Sequence, residues 1–245
     1  MSLPPVCISV PAVESDYVPT GTIEQIDELE VYTVGPADAD RAVIVVYDIF
    51  GSHPNTKQFA DILATVHGFR VVMPDFFHGE GWSEEKRAAD PDRTKIQEWI
   101  ARVGSWDAVS PHLARVKARL QSQGIKSAGI VGFCWGAKIA VQATVVDPWY
   151  TGVALIHPAK LELTDAEKVQ APVLLLPSKD EPDLTEFFEI IKKKSFGAQS
   201  YHQRFDDMPH GWVSARGNFK DPLNKQRASE AVQISADFFH MVVKS

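Results

Sequence analysis

A cysteine stands between two glycines in Gly132-Phe133-Cys134-Trp135-Gly136, directly after an apolar run that reaches Val131. A thiol in the pattern G-x-C-x-G, between a strand and a helix, predicts a nucleophile elbow with sulfur in the position usually held by a hydroxyl. The spacing has a steric cause. The nucleophile of an elbow sits on a strained turn, and side chains two residues before and after it would collide unless they were hydrogen. The turn also lifts Cys134 to the amino end of the next helix, where unpaired N–H groups and the helix dipole favour a thiolate. Such a thiol can attack an acyl carbon if a base takes its proton and an acid holds that base.

In an elbow fold these partners follow the nucleophile in the order acid, then histidine. Leu174 to Leu176 reads as a buried strand, and the short turn after it, Pro177-Ser178-Lys179, ends in Asp180. Asp180 is the expected acid; Glu181 and Asp183 are expected to face solvent or to cap a helix starting near Leu184. Four histidines follow Cys134. His202 falls in a strand and His240 on the terminal helix, while His157 follows a strand end and could line a pocket. His210 lies in Asp206-Asp-Met-Pro-His-Gly-Trp212, where Pro209 and Gly211 fix a turn that could aim the ring at Cys134. An imidazole titrates near the pH at which such chemistry runs, so His210 is the expected base.

The elements that must hold these groups alternate along the chain. Leu29–Val34 reads as an edge strand, and Ala42 to Tyr47 is a continuous apolar run suited to a strand covered on both faces. Helical patterns fall at 54–67, 94–100, 106–123, 137–146, 184–194 and 222–243, and strands at 70–73, 127–133, 152–156, 172–176 and 200–205. Residues 79–91 read as a polar loop or cap. The alternation predicts an α/β fold of the α/β-hydrolase kind, a mostly parallel central sheet with helices on both faces and functional groups at the carboxyl edge of its strands. Residues 1–28 are expected to be an N-terminal extension and 29–245 a single domain.

Taken together, Tyr47-Asp-Ile-Phe-Gly51, Gly132-Phe-Cys-Trp-Gly136, Lys179-Asp180 and His210-Gly-Trp212 resemble the markers of the dienelactone hydrolase family. The resemblance spans nearly the whole chain from Leu29 onward. It implies a triad of Cys134, Asp180 and His210 that cleaves lactones or other carboxylic esters through a covalent thioester, without a cofactor. It also implies an oxyanion hole from the backbone N–H groups of Trp135 and Ile49. The family pattern carries a glutamate that handles the resting thiol's proton where this chain has Asp48, one methylene shorter. Family members that act on dienelactone bring arginines to the substrate carboxylate, and Arg216 follows His210 at a longer spacing. Phe50, Phe76, Phe77, Trp82, Trp135 and Trp212 fall near strand ends and could line an apolar pocket.

The chain of 245 residues, 44% hydrophobic and 23% charged, fits one large globular α/β unit. A net charge of -7 argues against nucleic acid or an anionic membrane as partner, since either would want a basic face. No apolar run approaches the roughly 20 residues that cross a bilayer, and neither chain end carries a targeting signal, so a cytoplasmic protein is expected. The expected partner is a small ester or lactone, with the chain monomeric or weakly dimeric. No set of His, Cys and carboxylates at ligand spacing predicts a metal site. The two cysteines, Cys7 and Cys134, make a disulfide framework implausible. Cys7 is expected in an early coil, remote from the elbow, which disfavours a redox-sensing thiol protein. A broad carboxylesterase or thioesterase, and a ligand-binding protein without catalysis, remain as rival readings.

Overall fold

The computed structural model describes residues 3–8 and 10–244. Met1, Ser2, Ser9 and Ser245, which belong to the chain ends read for targeting, lie outside the described residues. In chain order the elements are α1 (Pro5–Ile8), β1 (Thr22–Ile26), β2 (Leu29–Val34), β3 (Ala42–Val46), α2 (Pro54–His67), β4 (Arg70–Pro74), α3 (Glu84–Ala88), α4 (Thr94–Val103) and α5 (Trp106–Ser122). They continue with β5 (Ala128–Phe133), α6 (Trp135–Val146), β6 (Tyr150–Ile156), α7 (Leu163–Lys168), β7 (Val173–Leu176), α8 (Thr185–Lys192), β8 (Tyr201–His202) and α9 (Pro222–Val242).

The eight strands form one sheet in the order β1-β2-β4-β3-β5-β6-β7-β8. β1, β2 and β4 pair antiparallel and every later neighbour is parallel. The alternating α and β elements and parallel core are those of the α/β-hydrolase fold. β3, β5 and β7 are buried at every position, as their continuous apolar runs require when helices cover both faces.

β2 is not at the edge. Thr22–Ile26, read in sequence as part of the extension, adds a further strand outside it, with Ile23 opposite Tyr32 and Gln25 opposite Glu30. The expected strand over 200–205 shrinks to Tyr201–His202, and the chain then turns away after a single bridge between Ser178 and Phe205. The polar stretch at 79–91 contains α3, whose first turn is capped by the Ser83 side chain. Among the described residues no helix is long and apolar enough to cross a membrane.

The elbow forms where β5 meets α6. Cys134 has φ 53° and ψ -116°, a strained backbone for a residue with a side chain. A Cβ on Gly132 would lie 2.3 Å from the Gly136 carbonyl oxygen, and one on Gly136 would lie 2.3 Å from that of Val46. The collisions are therefore with backbone, which cannot rotate aside. Gly136→Ala is expected to destabilise the protein by about 3 kcal/mol, read from chemical denaturation, because α6 can move off β3 only by distorting the elbow.

Candidate active site

Three segments meet above the carboxyl ends of β5, β6 and β7. The elbow delivers Cys134, whose N–H donates to the Ile156 carbonyl (3.3 Å) and whose own carbonyl accepts from Ala159 N–H (2.9 Å). The turn after β7 delivers the acid, and the loop after β8 delivers His210. These last two are laced together: Lys179 N–H donates to the Met208 carbonyl (3.1 Å), and Arg204 Nη2 donates to the carbonyls of Lys179 (3.1 Å) and Glu181 (2.7 Å).

The carboxylate on the imidazole is Glu181, not the expected Asp180. His210 Nδ1–H donates to Glu181 Oε1 at 2.6 Å, and the other oxygen of Glu181 accepts from Ser178 N–H. Asp180 instead accepts from the His210 backbone N–H (2.8 Å) and is exposed. The reason is the path of the turn. Asp180 N–H donates to Ser178 Oγ (3.2 Å), which curls the chain so that the inward position falls one residue later than strand length suggests. Glu181 is 4% exposed and His210 3%.

Cys7 is the residue that sequence reasoning missed. Far from a remote coil, it lies on α1, is 1% exposed, and sets its sulfur 3.5 Å from His210 Nε2. The two sulfurs and a ring nitrogen of His210 all lie within 4.8 Å of one another, so the fold assembles a soft donor cluster that ligand spacing in the sequence did not reveal. Cys134 is itself only 2% exposed. Residues 3–8 and 10–13 cross the site as a strap: Leu3 N–H donates to Gln97 Oε1 (2.6 Å), Arg216 Nη2 donates to the carbonyls of Cys7 (2.9 Å) and Val10, and Val13 N–H donates to the Ala215 carbonyl (2.9 Å). With these contacts made, the Cys134 side chain is almost wholly closed off from solvent.

Residues 29–243 match the family described as dienelactone hydrolase. The chain belongs to that family. Among its relatives, an uncharacterized AIM2 family protein of Schizosaccharomyces pombe is 32% identical over 231 residues, covering 90% of each chain. The carboxymethylenebutenolidase homolog of Homo sapiens is 28% identical, covering 88% of this chain and 89% of that one. In solved structures, the dienelactone hydrolase of Anabaena variabilis superposes with a TM-score of 0.63 at 16% identity, over 91% of this chain and 97% of that one. That last likeness concerns the fold.

The family glutamate position, Asp48 here, does not face the thiol in this member of the dienelactone hydrolase family. Asp48 is buried, with Oδ1 accepting from Phe50 N–H (2.9 Å) and Oδ2 accepting from Ser214 Oγ (2.6 Å) and Ala215 N–H (3.3 Å). It fastens the loop after β3 to the loop after His210. His157 completes this contact from β6, its Nε2 lying 3.2 Å from Ser214 Oγ. Arg216, expected near a substrate carboxylate, stacks 5.2 Å from the half-buried Phe50 ring and grips the strap. Phe77 packs on Tyr47 (5.0 Å) and Trp135 (4.9 Å), whereas Trp212 is fully buried against Phe205 (4.5 Å) and belongs to the core. Trp135 opens α6, so its N–H has no partner within the helix, while its indole N–H donates to the Gly104 carbonyl (2.9 Å). Ile49 lies buried in the turn that leaves β3.

Burial pushes the Cys134 thiol well above its ordinary range and Cys7 adds to this, with His210 opposing both. Burial pulls the His210 imidazole down, but an ionised Cys134 and the Glu181 carboxylate outweigh it and lift it to about 10. The two effects are linked: burial favours the thiol, and the upward push on His210 comes into force as Cys134 ionises, so a proton passed from sulfur to ring leaves two charges that stabilise each other. Removing Cys7 removes one upward push. The iodoacetamide alkylation rate of Cys134 in Cys7→Ala is therefore expected to rise at lower pH than in the wild-type protein; superimposable profiles would deny Cys7 any influence.

Proposed function

We propose that the protein hydrolyses small carboxylic esters and lactones through an acyl-thioester on Cys134. His210 Nε2 takes the thiol proton, Glu181 fixes the imidazole with its other nitrogen protonated, and the sulfur attacks the ester carbonyl. The oxyanion meets the N–H groups of Trp135 and Ile49. The proton returns from His210 to the leaving alkoxide, which in a lactone stays tethered to the acyl group. Water, deprotonated by the same imidazole, then attacks the thioester and frees the acid. The observation that carries this reading is the Cys134 sulfur within 4.8 Å of a ring nitrogen of His210, whose Nδ1 is bonded to a buried carboxylate. Membership of the dienelactone hydrolase family supports it independently.

Tyr47, Phe77 and Trp135 pack as one buried aromatic cluster next to the elbow, and such apolar surroundings favour an apolar acyl or ring portion. With Arg216 occupied by the strap carbonyls, a substrate carboxylate is no requirement of the site as it stands. The test is a brief pulse with a chromogenic aryl ester followed by acid quench and intact-mass analysis. An acyl adduct that maps to Cys134 and decays at the turnover rate is expected. A protein that binds the ester but never carries the adduct would be a ligand-holding module, and the proposal would fail.

A further inference from the structure

The chain's two cysteines, distant in sequence and each at most 2% exposed, converge on one imidazole. We infer that Cys7 is a resolving thiol, and that hydroperoxide converts the site to a Cys7–Cys134 disulfide which shuts the strap covalently. This rests on Cys134 being the reactive nucleophile of the proposed hydrolase.

The chemistry follows from how the strap is held. The described residues of the strap, 3–8 and 10–13, belong to no strand of the sheet and are tied down by hydrogen bonds that include the Leu3–Gln97 pair and the grip of Arg216 on the Cys7 and Val10 carbonyls. When the strap lifts, Cys134 loses the cover and the Cys7 contact that hold it as a thiol, and His210 can stabilise its thiolate. The thiolate attacks the distal oxygen of a hydroperoxide, the O–O bond breaks, and the alkoxide takes a proton to leave as alcohol. Cys134 is now a sulfenic acid. As the strap returns, Cys7 is brought back beside that sulfur. Cys7 gives its proton to His210, its sulfur displaces the hydroxyl group, and water leaves with that proton. In sum, two thiols and one hydroperoxide yield a disulfide, an alcohol and water.

A disulfide needs the sulfurs at about 2 Å, closer than two thiols pack. The mobile partner in that approach is Cys7, on a helix of four residues, since the elbow is locked by Gly132 and Gly136. Two sulfurs and an imidazole are also zinc donors, but a stable tetrahedral site wants a fourth ligand, and the described residues gather three. Oxidative closure uses only the groups present, and it would shield the nucleophile from irreversible over-oxidation.

The full-length reduced protein is treated with hydrogen peroxide, quenched with catalase, and analysed by intact mass, peptide mapping and ester turnover before and after dithiothreitol. The expected product is lighter by two hydrogens, maps to a Cys7–Cys134 linkage, has lost at least about 90% of its turnover, and regains it on reduction. Cys7→Ser should instead gain oxygen atoms on Cys134 and fail to recover once two have been added. Oxygen adducts in the wild type without a Cys7–Cys134 peptide would overturn the inference. So would a chain whose protection from peroxide comes from bound zinc and disappears with a chelator. A protein that forms the disulfide but turns over no ester would leave this inference standing and remove the hydrolase reading; one that turns over ester but never forms it would do the reverse.

Discussion

Glu181→Gln is expected to lower kcat/KM for an aryl ester by about 10³- to 10⁴-fold, while Asp180→Asn costs about tenfold or less. The glutamate carboxylate accepts from two donors, His210 Nδ1–H and Ser178 N–H. A glutamine has a single carbonyl oxygen to offer them, and its amide N–H₂ must face the other. If Ser178 keeps the oxygen, the imidazole is driven to the tautomer protonated on Nε2, where it can no longer accept the thiol proton. Asp180 lacks this leverage: it supports the backbone of His210 and leaves the ring alone. Steady-state kinetics on the two variants decides the matter, and the opposite ranking would return the acid's role to Asp180.

Cys134→Ala should lose about 10⁵-fold or more in kcat, since removing a nucleophile disables the whole relay. The substitution takes away a sulfur that is buried and polar in its contacts, so the thermal unfolding midpoint should move little. Turnover within tenfold of the wild type in a folded Cys134→Ala protein would eliminate covalent catalysis at this position. His210→Ala would then have to be tested for direct activation of water.

Much of this arrangement can be read from residue types. Gly132 and Gly136 announce the elbow because no larger residue clears the Gly136 and Val46 carbonyls. The unbroken apolar runs of β3, β5 and β7 betray strands covered on both sides. His210 stands out because Pro209 and Gly211 mark a turn, and Gly211, with φ +90°, passes close beside Arg216. β1 escapes notice because an outermost strand, largely exposed along Thr22–Ile26, has no hydrophobic period. Asp180 and Glu181 are adjacent carboxylates, and which one turns inward depends on how tightly Ser178 folds the turn, a matter of backbone angles rather than composition. Cys7 sits on a helix of four residues, too short to leave a pattern; its one visible sign is being the chain's second thiol.

The lacing of Lys179, Glu181, Arg204 and Met208 makes the base and its carboxylate a single mechanical piece, separate from the elbow. Local opening at that margin of the sheet should therefore carry both groups away together, leaving their mutual contact intact while their distance to the sulfur grows. In hydrogen–deuterium exchange the amides of Lys179, Phe205 and His210, bonded within that piece, would then stay protected, while the His157 amide, bonded across to the Leu176 carbonyl (2.8 Å), would exchange at a lower opening free energy than those of β5.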